Sequence, residues 1–345
     1  MFKKIIILVD DKSNFWWSIN SEKKLTSLDT KKVMKIFNTY GFQCETISFS
    51  KMNFDRDYSG NIILYQSSED TGLFYKSFIE DILLWLEDQG AILLPAFKYF
   101  RMHHNKAYME LNRYKFVNPI LKTIRSRVYG KLTELDQENI NYPVVFKLSE
   151  GAGSRNVALA RNVQDLVSMI KKLTGVFLVP TPFSFKSFFK LFIKQKVLLS
   201  KAGKDYPYRS KFVIQNFIPN MNGDFKVLRF GDKYYVLCRL NREGDFRASG
   251  SGKLSNPDNI DVSPILDFAQ IAANEIGFPL CSMDIGFDGT NYHLLEYQCV
   301  HFGPYTLQFS NYWFEHNDNK WEKILGKSIL EEEFCNVFIQ CIKEY

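Results

Sequence analysis

The sequence predicts a mixed α/β and α+β protein, in which an N-terminal domain with a parallel sheet precedes a larger domain made of two lobes. Strand and helix patterns alternate over roughly the first hundred residues, which is typical of a parallel sheet covered by helices. From Lys211 onward one strand pattern follows another, before a helix and a hairpin. The length of 345 residues exceeds what one ordinary hydrophobic core requires. We therefore predict more than one domain.

The N-terminal domain is predicted over residues 1–100. Apolar runs mark its strands, and apolar residues at helical spacing mark its helices. After the first strand, Asp10-Asp11-Lys12 stands where a dinucleotide-binding domain would carry Gly-x-Gly-x-x-Gly, so we do not expect this domain to bind a nucleotide. The predicted elements, in order, are a strand over 3–9, a helix over 33–40, strands over 42–49 and 61–65, a helix over 74–86 and a strand over 91–94.

The two lobes are predicted over residues 101–211 and 212–345, and the first lobe carries an insert at 175–210. Within the insert, residues 183–199 place lysines between apolar residues at helical spacing, which predicts a basic amphipathic helix. It docks on a partner subunit or on anionic lipid, or it packs on its own lobe. The other predicted elements are helices over 105–114, 163–173 and 265–276, strands over 142–147, 212–217, 225–230 and 234–239, a hairpin over 283–298, and C-terminal helices from about Trp321.

Composition excludes several classes of protein. The hydrophobic fraction is 46% and the charged fraction 24%, which are globular values and exclude disorder as the main state. The net charge is +6, less basic than a dedicated nucleic-acid binder, but suited to a small anion. The six cysteines form no Cys-x-x-Cys pair, so we expect reduced thiols in a cytoplasmic protein. The first apolar run is too short for a signal peptide, and we expect no transmembrane segment.

The first motif that indicates a binding site is the strand and loop over residues 142–154. The strand ends near Lys147, and the loop after it consists mostly of small residues, whose backbone N–H groups can close on phosphate oxygens. The loop residues that we assign to phosphate binding are Glu150, Gly151, Ala152, Gly153 and Ser154. The alternative is a plain tight turn, because short motifs often match by chance.

The second motif is the hairpin over 283–298. A three-residue loop beginning at Asp288 would place Asp284 opposite Leu294, with Asp284, Glu296 and Gln298 on one face. Carboxylate and amide oxygens are the ligands that Mg²⁺ prefers when it also contacts phosphates. A two-residue loop would turn Asp284 to the other face. Surface acids beside a turn are the alternative interpretation.

Between these motifs lie an apolar strand that ends in a polar segment and a region that contains Arg239 and Arg247. We expect the free edge of the strand to pair with an adenine base. The two arginines are suited to stabilising charge on a transferring phosphoryl group. The Gly/Ser run after Arg247 is typical of a closing loop.

Taken in order, the segments from about Asn105 to Gln298 resemble the ATP-grasp superfamily, in the branch that contains ribosomal-protein glutamate ligases and D-alanine ligases. The resemblance implies a pre-ATP-grasp domain followed by a two-lobed ATP-grasp domain. Two departures are that Gln298 stands where the superfamily usually has Asn, and that Gln215 stands where it often has an acid. The implied site residues are Lys106 and Lys147 for the phosphates, Gln215, Asn216 and Ile218 for adenine, Asp224 for the ribose, Arg239 and Arg247 for the acyl phosphate, and Asp284, Glu296 and Gln298 for the metal.

By this resemblance the chain uses ATP and Mg²⁺ to phosphorylate a carboxylate, which an amine then converts to an amide. The expected substrates are a small-molecule carboxylate and an amine, and modification of a surface polysaccharide or peptide is one expected role. The resemblance implies that the N-terminal domain and the segment after Gln298 shape the acceptor pocket, and we single out residues 10–12, 67–70 and 299–305. A solvated loop is the alternative for each segment. The alternatives are an ATP-grasp kinase and a nucleotide-binding protein without turnover.

Overall fold

The structure is a computed structural model that describes residues 4–70, 72–151, 156–174, 209–258, 260–318 and 320–343. The amphipathic helix predicted over 183–199 lies outside the described residues, as does nearly all of the insert predicted at 175–210. Three residues of the predicted phosphate loop, Ala152, Gly153 and Ser154, also lie outside them.

The described residues form eight α-helices, several short 3₁₀ turns and seventeen strands. None of these helices combines the length and the apolarity that crossing a bilayer requires. The strands are β1 (Ile5–Val9), β2 (Trp17–Ile19), β3 (Leu25–Ser27), β4 (Cys44–Ser48), β5 (Ile62–Leu64), β6 (Ile92–Leu94), β7 (Ser126–Lys131), β8 (Val144–Leu148), β9 (Val157–Ala160), β10 (Arg209–Asn216), β11 (Gly223–Phe230), β12 (Lys233–Leu240), β13 (Leu254–Ser255), β14 (Leu280–Phe287), β15 (Tyr292–Gln298), β16 (Tyr312–Asn317) and β17 (Lys320–Leu325). The helices are α1 (Thr30–Thr39), α2 (Phe74–Asp88), α3 (Phe97–Met102), α4 (Lys106–Arg113), α5 (Val163–Thr174), α6 (Ser263–Ile276), α7 (Tyr305–Gln308) and α8 (Leu330–Lys343).

The chain divides into two compact units. The larger unit contains Met1–His103, Phe116–Leu121 and Asn220–Tyr345, and the smaller unit contains His104–Lys115 and Lys122–Pro219. The domain limits predicted at residues 100 and 211 stay predictions.

In the larger unit, four parallel strands form a sheet in the order β4-β1-β5-β6. All five residues of β1 are buried, as expected for a parallel strand with both faces covered. Helix α1 begins at the cap Asp29, whose carboxylate accepts from the backbone N–H groups of Lys31 and Lys32. Its buried residues are Val33 and Phe37, and α1 contacts α8.

The larger unit also contains a seven-stranded antiparallel sheet, in the order β15-β14-β11-β12-β16-β17, with β13 paired to β12. Helix α6 packs on β14 and β15 and buries a stripe that includes Ala269, Ala272 and Ala273. It ends at Gly277, whose φ of 77° is the left-handed conformation that glycine adopts without strain. This sheet carries the polar face described below.

The smaller unit is built on a four-stranded antiparallel sheet in the order β7-β10-β8-β9. Helix α5 packs on one face, where Leu166 and Ile170 bury against Phe146 and Phe212. Helix α4 contacts β7 and β10. Because strand residues alternate between faces, Lys147 lies on the side opposite Phe146.

The predicted fold class is confirmed, since a parallel-sheet region precedes antiparallel sheets. The prediction of helix from about Trp321 is wrong at its start. Trp321 lies in β17 and pairs with His316 of β16, and the helix begins at Leu330. The chain turns at Asp318, between the paired residues Asn317 and Lys320, and the cross-strand pairs that follow override local propensity.

Candidate active site

In the smaller unit, Lys106 packs against the loop that follows β8. Lys106 is the first residue of α4, and the side chain of Asn105 caps the helix by accepting from the backbone N–H of Tyr108 at 3.3 Å. The backbone N–H of Lys106 donates to the carbonyl of Ser149 at 2.8 Å, and its Nζ donates to the carbonyl of Gly151 at 2.6 Å. The structure thus brings the first predicted phosphate lysine to the predicted phosphate loop.

The described part of that loop requires a glycine at position 151. The φ of Gly151 is 107°, and a Cβ there would lie 2.7 Å from Nδ2 of Asn156. This amide nitrogen donates to the carbonyl of Glu150 at 3.1 Å and so fixes the turn. The side chain of Glu150 is exposed. Lys147 is 9% exposed and lies across from Val213 of β10.

The residues predicted to receive adenine lie at the end of β10. Gln215 is 3% exposed, and its Nε2 has no hydrogen-bond partner within the described part of the chain. A buried donor without a partner costs free energy, which a bound acceptor would recover. Asn216 is used locally, because its Oδ1 accepts from the backbone N–H of Arg125 at 2.6 Å and its Nδ2 donates to the carbonyl of Thr123 at 3.3 Å. Ile218 follows the strand and is half-buried.

A cavity of about 590 Å³ adjoins Gln215 within the smaller unit, a volume in the range of about 300–1,000 Å³ that is usual for ligand pockets. Arg113 in its wall is buried and donates from Nε to Glu110 at 2.9 Å. Sequence reasoning missed this pair, and the spacing of three residues on α4 is its only signal. The remaining basic side chains in the wall are Lys122, Arg125 and Arg127.

In the larger unit, acidic and basic side chains share one face of four adjacent strands. Asp224 of β11 pairs with Arg239 of β12, and Lys226 of β11 pairs with Asp284 of β14. Asp284 in turn pairs with Glu296 of β15. Directly paired residues point to the same side of a sheet. We call these five residues the polar face.

Short ion pairs connect the polar face. Arg239 donates from Nε to Oδ1 of Asp224 at 2.5 Å, and its Nη2 lies 2.8 Å from Oδ2 of Asp284. Lys226 Nζ lies 2.9 Å from the other oxygen of Asp284, Oδ1. Sequence reasoning missed Lys226, although the alternation Asp-Phe-Lys after Gly223 places it on the face of Asp224.

The environment shifts the pKa values of Asp224 and Asp284 in opposite directions. Burial, together with the nearby charge of Asp284, raises the pKa of Asp224 to about 6, against the opposing effect of Arg239. Burial opposes ionisation of Asp284 as well, but the charges of Arg239 and Lys226 outweigh it and hold the pKa of Asp284 well below its usual range. At neutral pH both groups are therefore ionised, and Asp224 is the one closer to accepting a proton.

The hairpin loop has four residues, because Phe287 pairs with Tyr292. The predicted three-residue loop, with Asp284 opposite Leu294, is wrong. The register shifts between Ile285 and Asp284, which leaves Leu295 as the extra residue of a β-bulge. The bulge turns Glu296 to the face of Asp284, so the carboxylates share a face for a reason that the sequence does not show.

Gln298 lies opposite Ser282 on the same face, and its Nε2 donates to Oε1 of Glu296 at 3.3 Å. Arg247 lies outside the strands and binds Asp245, with its Nε 2.9 Å from Oδ1. This contact lowers the pKa of Asp245. The described structure therefore gathers Asp284, Glu296 and Gln298, and it places Arg247 in the loop after β12.

Two of the segments predicted to shape the acceptor pocket, 67–70 and 299–305, contact the buried side chain of His103. His103 is 1% exposed, and its Nδ1 lies 2.8 Å from Oγ of Ser67. The ring centroids of His103 and His301 are 5.8 Å apart, and His301 is 4.9 Å from the ring of Trp17. Residues from four separate parts of the larger unit thus meet here.

Solved structures show what this chain is similar to. A D-cycloserine synthetase, DcsG, shares 14% sequence identity with it at a TM-score of 0.51, over 98% of this chain and 99% of that one. A D-alanine–D-alanine ligase from Bacillus anthracis, complexed with ATP, shares 12% identity at a TM-score of 0.51, over 99% of both chains. The chain has the ATP-grasp fold.

This finding confirms the resemblance to the superfamily at the level of the fold. A third structure, the ATP-grasp ligase PsnB with a minimal precursor, Mg and ADP, shares 12% identity at a TM-score of 0.50, over 98% of both chains. No family model matches the sequence, and no curated protein matches it. The comparisons therefore establish the architecture alone, because one fold supports many chemistries.

Proposed function

We propose that this protein is an ATP-dependent ligase that forms an amide from a small-molecule carboxylate and an amine. The observation that supports the proposal most is the polar face, which combines carboxylates and cations on four adjacent strands of a chain with the ATP-grasp fold. Such a set suits a reaction in which charge on phosphate oxygens is held and neutralised.

Each unit carries its own residues for this reaction. In the smaller unit, we assign the phosphates to Lys106, Lys147 and the loop over 149–154, where backbone N–H groups and ammonium groups favour anions. We assign the adenine to Gln215, Asn216 and Ile218. The buried Nε2 of Gln215 is then the donor for an acceptor nitrogen of the base.

In the larger unit, Asp224 is assigned to the ribose hydroxyls, and Asp284, Glu296 and Gln298 to Mg²⁺. The donor set fits this ion, because two carboxylates at directly paired positions and an amide two residues on offer oxygen ligands from one face. When bound, Mg²⁺ neutralises charge on phosphate oxygens. Arg239 is already held by Asp224 and Asp284, so its orientation is set before any substrate binds.

The proposed reaction has two steps. A carboxylate oxygen of the substrate attacks the γ-phosphorus of ATP, which releases ADP and forms an acyl phosphate. The amine nitrogen then attacks the acyl carbon, the bond from carbon to phosphate oxygen breaks, and the nitrogen loses a proton as the amide and phosphate form. We assign Arg239 and Arg247 to the charge that develops on the transferring phosphoryl group.

ADP release, measured with a panel of carboxylates and amines, tests the proposal. Hydroxylamine in place of the amine should trap the acyl phosphate as a hydroxamate, and Lys147→Met and Asp284→Asn should abolish both signals. Lys172→Met, which alters an exposed lysine of α5, is the matched control. ADP release with a phosphate ester and no hydroxamate would indicate a kinase, and Mg-ADP binding without turnover a nucleotide-binding protein.

We also propose that the protein works in the cytoplasm. Its six cysteines are all free thiols, although four of them are buried. Free thiols are usual in a reducing compartment, where disulfides are rare. Oxidation of the purified protein that produced a specific intramolecular disulfide with gain of stability would contradict this assignment.

A further inference from the structure

We propose that, when no metal is bound, the ammonium group of Lys226 occupies the position beside Asp284 that a divalent cation would take. The cation therefore reaches Asp284 only when this ammonium group moves away. The inference rests on the proposed function in one respect, which is that it takes Asp284 as a metal ligand. It adds an order of events, in which metal binding depends on a movement of Lys226.

The contacts of Asp284 indicate that a basic side chain blocks the approach of a metal ion. One of its oxygens lies 2.9 Å from Nζ of Lys226, and the other lies 2.8 Å from Nη2 of Arg239. A divalent cation needs a carboxylate oxygen at about 2.0–2.6 Å, and two cations cannot share one oxygen at such distances without strong repulsion. One of the two basic groups must therefore give way.

The two cations differ in how firmly they are held. Arg239 bridges Asp224 and Asp284, and its side chain is 11% exposed. Lys226 is 21% exposed and carries its charge on a flexible four-carbon stem. Moving Arg239 would break two ion pairs and leave Asp224 buried without its nearest cation, which is the more costly change. Lys226 is the group that moves.

The charges of the polar face indicate that metal binding depends on the movement of Lys226. Three carboxylates face two cations while Lys226 is in place, so the electrostatic attraction for a divalent ion is weak. Withdrawal of Lys226 leaves two net negative charges, which match a divalent cation. Nucleotide phosphates are anions that form strong charge-assisted hydrogen bonds with an ammonium group and so offer Lys226 an alternative partner. We therefore infer that metal enters with the nucleotide rather than before it.

The test uses Mn²⁺ alone, without nucleotide, because the electron paramagnetic resonance signal of free aqueous Mn²⁺ reports binding directly. The wild-type protein should bind Mn²⁺ weakly. Lys226→Met should bind it at least about tenfold more tightly, since removing a competing charge in direct contact is worth a pKa unit or more. Lys226→Arg, which keeps the charge, should stay close to the wild type.

Two controls make the result specific. Lys233→Met removes a lysine of the same sheet that is 27% exposed and lies 2.7 Å from Glu333, and it should leave Mn²⁺ affinity unchanged. Adding Asp284→Asn to Lys226→Met should abolish the gain. If Lys226→Met does not fold, as judged by its thermal midpoint, Lys226→Gln replaces it, because glutamine keeps most of the stem.

The proposal is overturned if Lys226→Met binds Mn²⁺ no better than the wild type, or if the gain survives Asp284→Asn. Neither result depends on turnover. A tenfold gain in a protein that never consumes ATP would reject the ligase and keep the role of Lys226. ATP-dependent amide formation with no gain in Lys226→Met would do the reverse.

Discussion

Replacement of Arg239 by methionine should destabilise the larger unit by about 3 kcal/mol at pH 7. Arg239 is the shared cation of two carboxylates whose side chains are 8% and 15% exposed. Removing one partner of a buried ion pair usually costs about 3–5 kcal/mol, because the remaining charge stays desolvated. Methionine keeps much of the apolar stem, so the change tests charge more than volume.

The value lies at the lower end of that range for two reasons. Lys226 still faces Asp284 at 2.9 Å, so the loss falls mainly on Asp224. The pKa of Asp224 is already about 6, so Asp224 can lose its unpaired charge by binding a proton. At pH 7 that neutralisation costs only about 1.4 kcal/mol, the equivalent of one pKa unit. At pH 5 the loss should therefore be smaller by about 1 kcal/mol.

Urea unfolding followed by tryptophan fluorescence is the appropriate assay. All five tryptophans lie in the larger unit, so the signal reports the unit that carries Arg239. Lys24→Met is the control, because Lys24 and Glu22 form an ion pair that is 72% and 66% exposed, and such pairs contribute about 0–1 kcal/mol. A loss for Arg239→Met within 1 kcal/mol of this control would show that Arg239 does not stabilise the two buried carboxylates.

Three further predictions concern single side chains. Between pH 6 and pH 4 the folded wild type binds a proton at Asp224 that the unfolded state does not bind, so its stability should rise as the pH falls. Asp224→Asn should remove this gain. Urea midpoints measured across that pH range check the prediction, and parallel curves for the two proteins would contradict it. Gly151→Ala should weaken Mg-ADP binding by about tenfold or more in calorimetry, because a Cβ at a φ of 107° meets Asn156, whereas Gly60→Ala, at a φ of 70° with open space, should leave it unchanged. Gln215→Leu should raise the thermal midpoint slightly by removing a buried donor without a partner, yet reduce ADP affinity; unchanged affinity would exclude the base from this position.

Elements with a strong local pattern could be predicted from the sequence. The helix predicted over 265–276 is observed at Ser263–Ile276, and the strand predicted over 225–230 is observed at Gly223–Phe230. The helix buries a regular stripe of apolar residues, which a period of 3.6 identifies without tertiary information. The strand is identified by its valine and phenylalanine residues, which favour strands. Strands β7 and β17 lack this signal, because partly exposed residues form much of each strand, and only their partners decide their structure.

The candidate site was predictable in its residue types and not in its geometry. Asp284 and Glu296 share a face only because Leu295 bulges out. With the observed four-residue loop and no bulge, Glu296 would lie across from Met283 and on the other side of the sheet. A bulge depends on packing and twist around the hairpin, and the letters Leu-Leu-Glu carry no mark of it.

The same limit applies to the cations of the polar face. Lys226 precedes Asp284 by 58 residues, and its contact with Asp284 exists only because β11 lies between β12 and β14 in the sheet. Strand order is a property of the whole larger unit, so a motif search finds the acids and not the group that neutralises them. The charge state of Asp284, and with it the affinity for a divalent cation, therefore follows from topology rather than from any local segment.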